Sequence, residues 1–356
     1  MNNLLSLGLM SGTSLDGVDA ALLLTDGETA GSAGDALTMP YPDSLRRAIR
    51  ASLGGVGPVA EVERDMTLFH AEVAKTLLAR AGNPEVAVVG FHGHTILHQP
   101  DKRKTWQIGD GALLAQKLGI TVVNDFRSAD VAAGGHGAPL LPAFHAALAT
   151  GSERPLAVLN IGGVANVTWI GRDGSILAFD TGPGNALVDD WILHHTGELY
   201  DKDGAIAALG TADLDAVDRF LAHPYFARKP PKSLDRDDFR VWAASLIAGK
   251  DVRDGAATLA AFTVAAVAAA RQWLPEAPGT WLVCGGGRHN GTLMNGLRRS
   301  LHTSVDAVET RGWDGDAMEA RGFAYLAVRS LLNLPISWPG TTGAPEPMLG
   351  GTVHRP

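Results

Sequence analysis

Three short glycine-rich turns each follow an apolar run that predicts a buried strand. They are Gly12-Thr13-Ser14-Leu15-Asp16-Gly17, Ile161-Gly162-Gly163 and Gly285-Gly286-Gly287. Glycine lets the backbone bend tightly, so that amide groups point outward as donors for phosphate oxygens. Asn166 adds a donor near the second turn, and the third would let a base and ribose approach the backbone. For the first turn taken alone, a plain hairpin turn is the alternative, because Gly, Ser and Asp are common turn residues.

Asp16 is the residue of the first turn that suggests a metal ion. A carboxylate repels phosphate, but it suits a divalent cation lying between the two, held directly or through water. The sequence therefore predicts a nucleotide with Mg²⁺ at this turn. It contains neither the P-loop pattern ending in Gly-Lys-Ser/Thr nor a convincing dinucleotide-binding motif, which disfavours those two nucleotide folds.

Asp180 is the first candidate for a general base. It follows a strand predicted over 175–179 and precedes Thr181-Gly182-Pro183-Gly184-Asn185. Open α/β sheets present catalytic groups at such strand ends. The alternative is an Asp that caps the helix predicted to begin near Leu187. Asn185 is equally suited to that cap, which favours the role of Asp180 as a base.

Polar residues follow two further predicted strands. His92-Gly93-His94-Thr95, with His98 beyond it, favours a polar-substrate site or satisfied buried loop groups over a metal site, since no carboxylate ligand is obvious nearby. In Asn124-Asp125-Phe126-Arg127, the guanidinium of Arg127 could bind a ligand carboxylate in bidentate fashion. A structural contact between Asp125 and Arg127 is the alternative.

The elements that must position these residues alternate between helix and strand. Two N-terminal strands, 4–10 and 18–25, are predicted to form a hairpin. The remaining pattern predicts helices over 61–81, 111–118 and 258–274, and strands over 86–90, 120–124, 156–160, 165–170 and 280–284. Because the strand–glycine turn–strand arrangement occurs twice, we expect two related α/β halves.

A Gly/Pro-rich stretch at 134–142 is the predicted domain boundary. It divides the chain into an N-terminal domain, 1–135, and a C-terminal domain, 136–356. The tail from Pro335 is predicted to be an irregular surface segment that can return to the first domain. Acidic residues enter a predicted helix at Asp314, Asp316 and Glu319, where such residues commonly favour a helix N-terminus.

Length and composition agree with this organisation. The chain has 356 residues, of which 46% are apolar and 19% charged, as expected for about two globular domains. A formal net charge of -8 disfavours broad nucleic-acid binding. The single cysteine, Cys284, allows no intramolecular disulfide and favours a reducing compartment. With no targeting segment or membrane span predicted, we expect a cytoplasmic protein that binds neither nucleic acid nor membrane.

Taken together, the motifs resemble those of the anhydro-N-acetylmuramic acid kinase family, in the same order and over nearly the whole chain. The N-terminal signature is Met10-Ser11-Gly12-Thr13-Ser14-Leu15-Asp16-Gly17-Val18-Asp19. The other matching motifs are Trp106-Gln107-Ile108-Gly109-Asp110, Asn124-Asp125-Phe126-Arg127, Gly137-Ala138-Pro139-Leu140, Asn160-Ile161-Gly162-Gly163-Val164-Ala165-Asn166, Phe179-Asp180-Thr181-Gly182-Pro183-Gly184-Asn185, Cys284-Gly285-Gly286-Gly287 with Asn290, and Asp316-Ala317-Met318-Glu319-Ala320.

The resemblance implies an α/β fold of the sugar kinase and actin superfamily, with two actin-like (ribonuclease H-like) domains flanking a nucleotide cleft. It implies a reaction in which ATP and water convert 1,6-anhydro-N-acetylmuramic acid to N-acetylmuramic acid 6-phosphate and ADP. Hydrolytic opening of the anhydro bridge accompanies phosphoryl transfer, as part of peptidoglycan recycling and amino sugar catabolism. ATP, Mg²⁺ and a homodimer are implied as well.

The resemblance also implies roles for individual residues. Asp180 would activate the water that attacks carbon 1 of the sugar, and Asp16 would lie near Mg²⁺. Thr95 and Glu319 would help to position the sugar, while Arg127 would pair with its lactyl carboxylate or a neighbouring polar group. The residues implied in ATP binding are Gly12, Thr13, Ser14, Leu15, Asp16, Gly17, Val18, Asp19, Gly162, Gly163, Asn166, Gly285, Gly286 and Gly287.

The chain departs from the family pattern at His94 and His136, where many members have glutamine. Histidine can still form hydrogen bonds, so we expect the same reaction, with at most a modest change in pH dependence or sugar contacts. Three competing functions remain: a kinase for another anhydro sugar such as levoglucosan, an actin- or chaperone-type ATPase, and an ATP-independent glycosidase using Asp180 and Glu319. Levoglucosan lacks a lactyl acid for Arg127, and a glycosidase would leave three glycine turns unexplained.

Overall fold

The computed structural model describes residues 2–12 and 15–356, so Thr13 and Ser14 of the first glycine turn lie outside the described residues. The chain divides into two compact units: unit 1 comprises Met1–Gly151 and Ala317–Pro356, and unit 2 comprises Ser152–Asp316. The boundary set at 135 from the sequence therefore falls inside unit 1. Its Gly/Pro-rich stretch is a turn within that unit, because the helix that follows it packs Phe144 on Tyr325, with ring centroids 5.4 Å apart.

The strands are numbered in chain order over the described residues. They are β1 (Leu4–Met10), β2 (Gly17–Thr25), β3 (Ser32–Pro40), β4 (Val88–Phe91), β5 (His94–Gln99), β6 (Lys104–Ile108), β7 (Val122–Asn124), β8 (Leu156–Ile161), β9 (Val164–Ile170), β10 (Ile176–Pro183), β11 (Thr280–Cys284), β12 (Ser304–Ala307) and β13 (Thr352–His354). Every strand predicted from the sequence is present, with shifted ends in several cases.

The α-helices are numbered in the same way. They are α1 (Asp43–Ala51), α2 (Val59–Arg80), α3 (Gly111–Leu118), α4 (Ser128–Ala133), α5 (Pro142–Leu148), α6 (Ala186–Thr196), α7 (Leu214–Leu221), α8 (Pro224–Ala227), α9 (Arg240–Leu246), α10 (Val252–Ala270), α11 (Gly291–Leu301), α12 (Met318–Leu331) and α13 (Pro339–Thr342). The three helices predicted from apolar spacing correspond to α2, α3 and α10.

Unit 1 is built around a six-stranded sheet with the order β13-β7-β4-β1-β2-β3. β1 and β2 form the predicted antiparallel hairpin, whereas β1, β4 and β7 run parallel. Glycines let α12 pack directly on this sheet: a Cβ atom on Gly8 would lie 1.7 Å from the carbonyl oxygen of Ala320, and one on Gly90 would lie 2.1 Å from that of Phe323. The carboxyl ends of the three parallel strands share one edge of the sheet.

Unit 2 contains a five-stranded sheet with the order β10-β9-β8-β11-β12. β8, β11 and β12 are parallel, and β9 runs antiparallel to both of its neighbours, β8 and β10. The strands β8, β10 and β11 therefore point the same way and end at one edge. The core packs apolar strand residues against helices α6, α7, α10 and α11, and it includes the stacked rings of Phe220 and Phe262, with centroids 4.2 Å apart.

The alanine-rich helix predicted within 258–274 is the long core helix of unit 2. Its N-terminus is capped by Asp251, whose side chain accepts hydrogen bonds from the amides of Arg253 and Asp254. Among the described residues, Val252–Trp273 is the one helical segment long and apolar enough to cross a membrane by length and composition. Residues of this helix, such as Phe262 and Val267, are fully buried within unit 2, which agrees with the predicted buried helix.

The C-terminal tail is more ordered than the sequence predicted. β13 adds an antiparallel edge strand beside β7, pairing Val353 with Val123. The hydroxyl groups of Ser337 and Thr342 both donate to the carboxylate of Asp130, which is 1% exposed. The tail belongs to unit 1, and although most of it is irregular it contains the short elements α13 and β13 and polar residues committed to a buried carboxylate. Such long-range contacts leave no periodic signal in the sequence.

Candidate functional site

The polar residues that follow parallel strands in unit 1 lie at one edge of its sheet. Gly12 follows β1, His92 follows β4 and Arg127 lies three residues beyond β7. Two contacts link these loops to one another. The Ser11 hydroxyl lies 3.0 Å from Nδ1 of His94, and Nη2 of Arg127 lies 3.1 Å from Nε2 of His92. Polar residues that follow three parallel strands are thus in contact within unit 1.

The described part of the first glycine turn is tight and anchored. The amide of Leu15 donates to the carbonyl of Gly12 at 3.1 Å, and Leu15 is buried with a positive φ of 61°. The amide of Tyr41 donates to the carbonyl of Asp16, and Asp16 is exposed. Val18 and Asp19 lie in β2, where Asp19 accepts a 2.6 Å hydrogen bond from Thr38.

Gly17 of this motif is required by close packing. A Cβ atom there would lie 2.2 Å from the carbonyl oxygen of Met39 on the neighbouring strand. Glycine at this position therefore lets the strand that follows the turn approach β3. Of the described residues of this motif, Leu15 and Asp16 are held by main-chain hydrogen bonds, and Asp16 is exposed.

Arg127 contacts Gly137 and His92 in unit 1. Its Nη1 donates to the carbonyl of Gly137 at 2.6 Å, and its Nε and Nη2 approach Nε2 of His92 at 3.3 and 3.1 Å. The Nδ1 atom of His92 lies 3.0 Å from the carbonyl of Gly93, so this nitrogen carries the proton and Nε2 accepts. Burial and the Arg127 charge lower the pKa of His92 well below its ordinary value, which keeps the ring neutral.

The other residues assigned to the sugar also belong to unit 1. Thr95 lies in β5 and accepts a 3.1 Å hydrogen bond from Nε2 of Gln107. Glu319 lies in the first turn of α12, next to Ala320, which contacts Gly8 of β1. Asp125 accepts from the amide of Ser128 at 3.3 Å, so its described role is to order the start of α4.

The two histidines that depart from the family pattern have different surroundings. Burial lowers the pKa of His94 to about 4, so the ring is neutral near pH 7, as a glutamine amide would be. The hydroxyl of Tyr41 donates to Ser11 at 2.8 Å, and Ser11 in turn contacts His94. The main-chain amide of His136 donates to the carbonyl of Thr342, which ties its loop to the C-terminal tail.

Several buried or half-buried histidines make the stability of the protein sensitive to acid. Burial lowers the pKa of each of His70, His94, His98 and His145 to about 4, from an ordinary value of 6.5. Below pH 6.5 the unfolded chain therefore binds more protons than the folded chain, and stability is lost as the pH falls toward 4.

We expect the melting temperature to fall steeply from pH 6.5 to pH 5. Each such histidine contributes up to about 1.4 kcal/mol per pH unit in this window. Differential scanning calorimetry across pH measures the slope. His94→Gln should reduce the slope, whereas the same change at the exposed His194 should leave it unaltered. A slope that is identical in the parent and in both variants would contradict this explanation.

In unit 2, Asp180 lies inside a strand rather than after it. The predicted strand ended at 179, but β10 continues to Pro183, and the pairing register shifts between Asp180 and Gly182. Asp180 pairs across the sheet with Asn166 of β9, which also pairs with Asn160 of β8. The register therefore brings the predicted base and the predicted nucleotide-binding Asn166 side by side.

A segment that is distant in sequence holds Asp180, which is 6% exposed. The amide of Leu234 donates to Oδ2 of Asp180 at 2.8 Å, and the Asp180 amide donates to the carbonyl of Lys232 at 3.0 Å. The hydroxyl of Tyr225 donates to the Asp180 carbonyl at 2.5 Å. Main chain and carboxylate are thus both fixed, as a general base requires.

Asn185 does not cap α6 as the sequence suggested. It occupies the N-cap position without a side-chain capping bond, and its Nδ2 donates instead to the carbonyl of Ile161 at 3.1 Å. The amides of Gly184 and Asn185 donate to the carbonyls of Gly163 and Gly162 at 2.9 and 2.7 Å. The second glycine turn and the turn after Asp180 therefore form one interlocked backbone structure.

The third glycine turn adjoins this structure. Gly285 has a φ of 73°, and a Cβ atom there would lie 2.3 Å from Oδ1 of Asn160 and 2.7 Å from the carbonyl of Ile161. The Nη1 atom of Arg288 donates to the Gly285 carbonyl at 3.0 Å. Two of the three predicted nucleotide turns are therefore neighbours at the edge where β8, β10 and β11 end.

Arg288 forms an ion pair with Asp316, one of the acidic residues that precede α12. Its side chain is 3% exposed and pairs with Glu309 and Asp316, at 2.7 Å in each case. Asp316 precedes the helix, which begins at Met318, so its described role is this ion pair rather than a helix N-terminal contact. Asn290 of the same motif caps α11 by accepting a bond from the amide of Leu293.

The described residues suit a metal ion that is held mainly by the phosphates of a bound nucleotide. Within residues 2–12 and 15–356, no three or more His, Cys, Asp or Glu side chains are grouped to hold a metal ion. Mg²⁺ in nucleotide sites retains waters and is held by one or two carboxylates together with substrate phosphates. The exposed carboxylate of Asp16 on an anchored turn fits that requirement.

Sequence reasoning missed the residues that hold the candidate groups in place. These are Tyr225 and Lys232 at Asp180, Arg288 at the third turn, and Asp130, which accepts the amide of Gly137 in the loop that Arg127 contacts. Pro230 and Pro231 just before Lys232 indicate a turn, but nothing in the sequence pairs that turn with Asp180.

Comparison with known proteins shows similarity along the whole chain. Residues 4–356 match the family described as "Anhydro-N-acetylmuramic acid kinase". Proteins of that name from Paramagnetospirillum magneticum and Rhodospirillum rubrum are 61% and 57% identical, over 99% and 98% of this chain and 100% and 93% of their own lengths. Component A of (R)-2-hydroxyglutaryl-CoA dehydratase from Acidaminococcus fermentans has a TM-score of 0.50 at 12% identity, covering 92% of this chain and 99% of its own. The latter likeness concerns the fold alone, and the expected α/β class is confirmed.

Proposed function

Because this chain belongs to the anhydro-N-acetylmuramic acid kinase family, we propose that it converts 1,6-anhydro-N-acetylmuramic acid, ATP and water to N-acetylmuramic acid 6-phosphate and ADP. The observation that supports this most strongly is the position of Asp180, whose carboxylate accepts the amide of Leu234 and which pairs across the sheet with Asn166. The reaction would serve recycling of cell-wall sugars in the cytoplasm, carried out by a homodimer.

Asp180 has an unusual task in this reaction. The oxygen on carbon 6 of the substrate is locked in an ether bridge, so it has no proton for a base to remove. We propose that Asp180 accepts a proton from the water that attacks carbon 1. The bond from carbon 1 to the bridging oxygen breaks, and that oxygen takes the γ-phosphoryl group as the bond to the β-phosphate breaks.

Glycine turns supply the donors for the ATP phosphates. The proposed set comprises the first turn, Gly12–Asp19, together with Gly162, Gly163 and Asn166; Gly285–Gly287 would border the adenosine. Mg²⁺, when bound near Asp16, would neutralise charge on the β- and γ-phosphates. Backbone donors that are fixed before the reaction stabilise developing charge without reorganising.

The sugar would be positioned by residues of unit 1. Arg127 is the residue that distinguishes this substrate from levoglucosan, because a guanidinium binds the lactyl carboxylate in bidentate fashion. His92 and Gly137 hold that guanidinium in place. Thr95 and Glu319 would contact polar groups of the sugar ring.

Arg127→Lys is expected to raise KM for 1,6-anhydro-N-acetylmuramic acid about tenfold. Lysine keeps the positive charge but cannot form a bidentate contact with the lactyl carboxylate. KM for ATP should change by less than about twofold, since no phosphate contact is removed. The melting temperature checks that the variant folds, because the contacts of Arg127 with Gly137 and His92 also change. An unchanged KM for the sugar would show that Arg127 does not bind the lactyl group.

A substrate panel tests the proposed function. The protein is incubated with ATP and Mg²⁺ together with 1,6-anhydro-N-acetylmuramic acid, levoglucosan or no sugar, and ADP and sugar phosphate are measured together. We expect equal amounts of both products with the first sugar and little ADP without it. ADP formed equally without sugar indicates an ATPase, sugar opened without ATP indicates a glycosidase, and a preference for levoglucosan indicates another sugar kinase.

A further inference from the structure

Asp130 is a buried carboxylate to which the proposed reaction assigns no role. It lies in α4, the helix that begins just after Arg127. Its side chain accepts hydrogen bonds from the amide of Gly137 at 2.7 Å, from the hydroxyl of Thr342 at 2.6 Å and from the hydroxyl of Ser337. Burying a carboxylate is costly unless donors surround it, so its presence calls for an account of what it holds in place.

Asp130 fixes the short loop that contacts Arg127. The Gly137 amide donates to Oδ1 of Asp130, and the Gly137 carbonyl accepts Nη1 of Arg127 at 2.6 Å. The main-chain carbonyl of Asp130 accepts the amide of Gly135 at 2.9 Å. A Cβ atom on Gly135 would lie 2.2 Å from Oδ1 of Asp130, so the loop passes directly beside the carboxylate. Asp130 therefore holds the residue whose carbonyl contacts the guanidinium.

Two hydroxyl groups of the C-terminal tail hold the other oxygen of this carboxylate. Ser337 and Thr342 both donate to Oδ2 of Asp130. The tail also contacts the loop directly, since the amide of His136 donates to the carbonyl of Thr342 at 2.7 Å. The guanidinium of Arg127, the loop, Asp130 and the tail thus form one continuous hydrogen-bonded network within unit 1.

We propose that Asp130 is a positioning residue for the sugar site: with the hydroxyl groups of Ser337 and Thr342, it fixes the loop against which the Arg127 guanidinium is oriented. The inference rests on the proposed function, since it requires Arg127 to bind the lactyl carboxylate. A bidentate contact depends on the relative orientation of the two planar groups, so a small displacement of the guanidinium weakens it. Asp130 acts through Arg127 on the affinity for the sugar.

Adjacent threonines in α13 provide matched variants for a test. Thr341 and Thr342 are both buried, but the hydroxyl of Thr341 contacts the main chain of Trp338, whereas that of Thr342 donates to Asp130. A change to valine replaces a buried hydroxyl by a methyl group at either position. The main-chain bond from His136 to Thr342 involves neither side chain. A difference between the two variants therefore reports the bond to Asp130 rather than general damage to the tail.

We expect Thr342→Val to raise KM for 1,6-anhydro-N-acetylmuramic acid about fivefold, with kcat and KM for ATP within about twofold of the parent. Thr341→Val should keep the parent KM for the sugar, and so should Thr342→Ser, which keeps a hydroxyl at the second position. Thermal melting confirms that each variant folds. A sugar KM that is unchanged in Thr342→Val, or raised equally in Thr341→Val, would overturn the proposal.

Should Thr342→Val fail to fold, Ser337→Ala takes its place, because it removes the other hydroxyl donor to the same carboxylate oxygen. The expected rise in the sugar KM is the same, and an unchanged value again rejects the role of Asp130.

A double variant tests whether the effect passes through Arg127. In an Arg127→Met background the guanidinium is absent, so adding Thr342→Val, or Ser337→Ala in its place, should change the sugar KM by less than about twofold. Independent effects, in which the two changes raise KM by the product of their separate factors, contradict the proposed connection.

The parent and Arg127→Met separate this inference from the proposed function. If the parent forms no sugar phosphate from the anhydro sugar, the proposed function fails and the inference fails with it. If the parent forms it and Arg127→Met raises the sugar KM while Thr342→Val matches Thr341→Val, the function and the role of Arg127 stand. Only the role of Asp130 is then rejected.

Discussion

Asp180→Asn is expected to lower kcat by about 10²- to 10⁴-fold, the range that a positioned general base contributes. Asparagine has nearly the same shape and can still accept the amide of Leu234, which contacts the carboxylate at 2.8 Å. It cannot accept a proton from the water that attacks carbon 1. Because the main-chain bonds to Lys232 and Tyr225 do not involve the side chain, they remain, and the variant should fold.

The matched control for this prediction is Asp173→Asn, an exposed carboxylate in the connection between β9 and β10. It should keep the parent kcat. Steady-state rates of ADP and sugar phosphate formation, with melting temperatures for both variants, give the comparison. Turnover of a folded Asp180→Asn within about tenfold of the parent would assign the base elsewhere.

Gly285→Ala is the second change with a large expected effect. The backbone at Gly285 has a φ of 73°, which a residue with a Cβ adopts at a cost of about 1–2 kcal/mol. The added methyl group would also meet the carbonyl of Ile161 and the side chain of Asn160 at 2.7 and 2.3 Å. The turn must shift, so we expect KM for ATP to rise by at least about thirtyfold, equivalent to roughly 2 kcal/mol.

Gly279→Ala is the control for that change, since Gly279 precedes β11 and is not among the proposed nucleotide-binding residues. It adds the same methyl group at an exposed position, where the nearest atom is the carbonyl oxygen of Pro155 at 4.0 Å. We expect its KM for ATP to remain within about threefold of the parent, since ordinary van der Waals contact requires no backbone movement. Isothermal titration of a non-hydrolysable ATP analogue measures the nucleotide affinity directly. Equal affinities in the two variants would show that the third turn does not border the nucleotide.

Local patterns were sufficient to predict most of the elements. The spacing of apolar residues around Val62, Met66 and Leu77 predicted α2, and the bounds of α3 and β11 agree with the prediction. These signals are local because each element buries one face or a short apolar run. The two hairpins with glycine turns could also be predicted, since their turn residues and apolar residues are adjacent in the chain.

What the sequence could not predict depends on contacts between distant segments. Asp130 accepts hydrogen bonds from Ser337 and Thr342, and the sequence did not identify these partners, although it suggested that the tail returns to the first domain. Lys232 and Tyr225 contact Asp180 only because α8 and the segment after it fold back onto β10. Such contacts depend on the three-dimensional packing of distant segments, and no pattern of residue spacing along the chain predicts them.

The most direct test of the central claim follows the oxygen of water during turnover. The protein is supplied with ATP, Mg²⁺ and 1,6-anhydro-N-acetylmuramic acid in water enriched in ¹⁸O, and the product is reduced with borohydride at early times to prevent exchange at carbon 1. We predict a single ¹⁸O atom in the sugar phosphate, on carbon 1, with ADP formed in equal amount. Sugar phosphate without ¹⁸O, or label found only in inorganic phosphate, would contradict the proposed attack of water on the sugar.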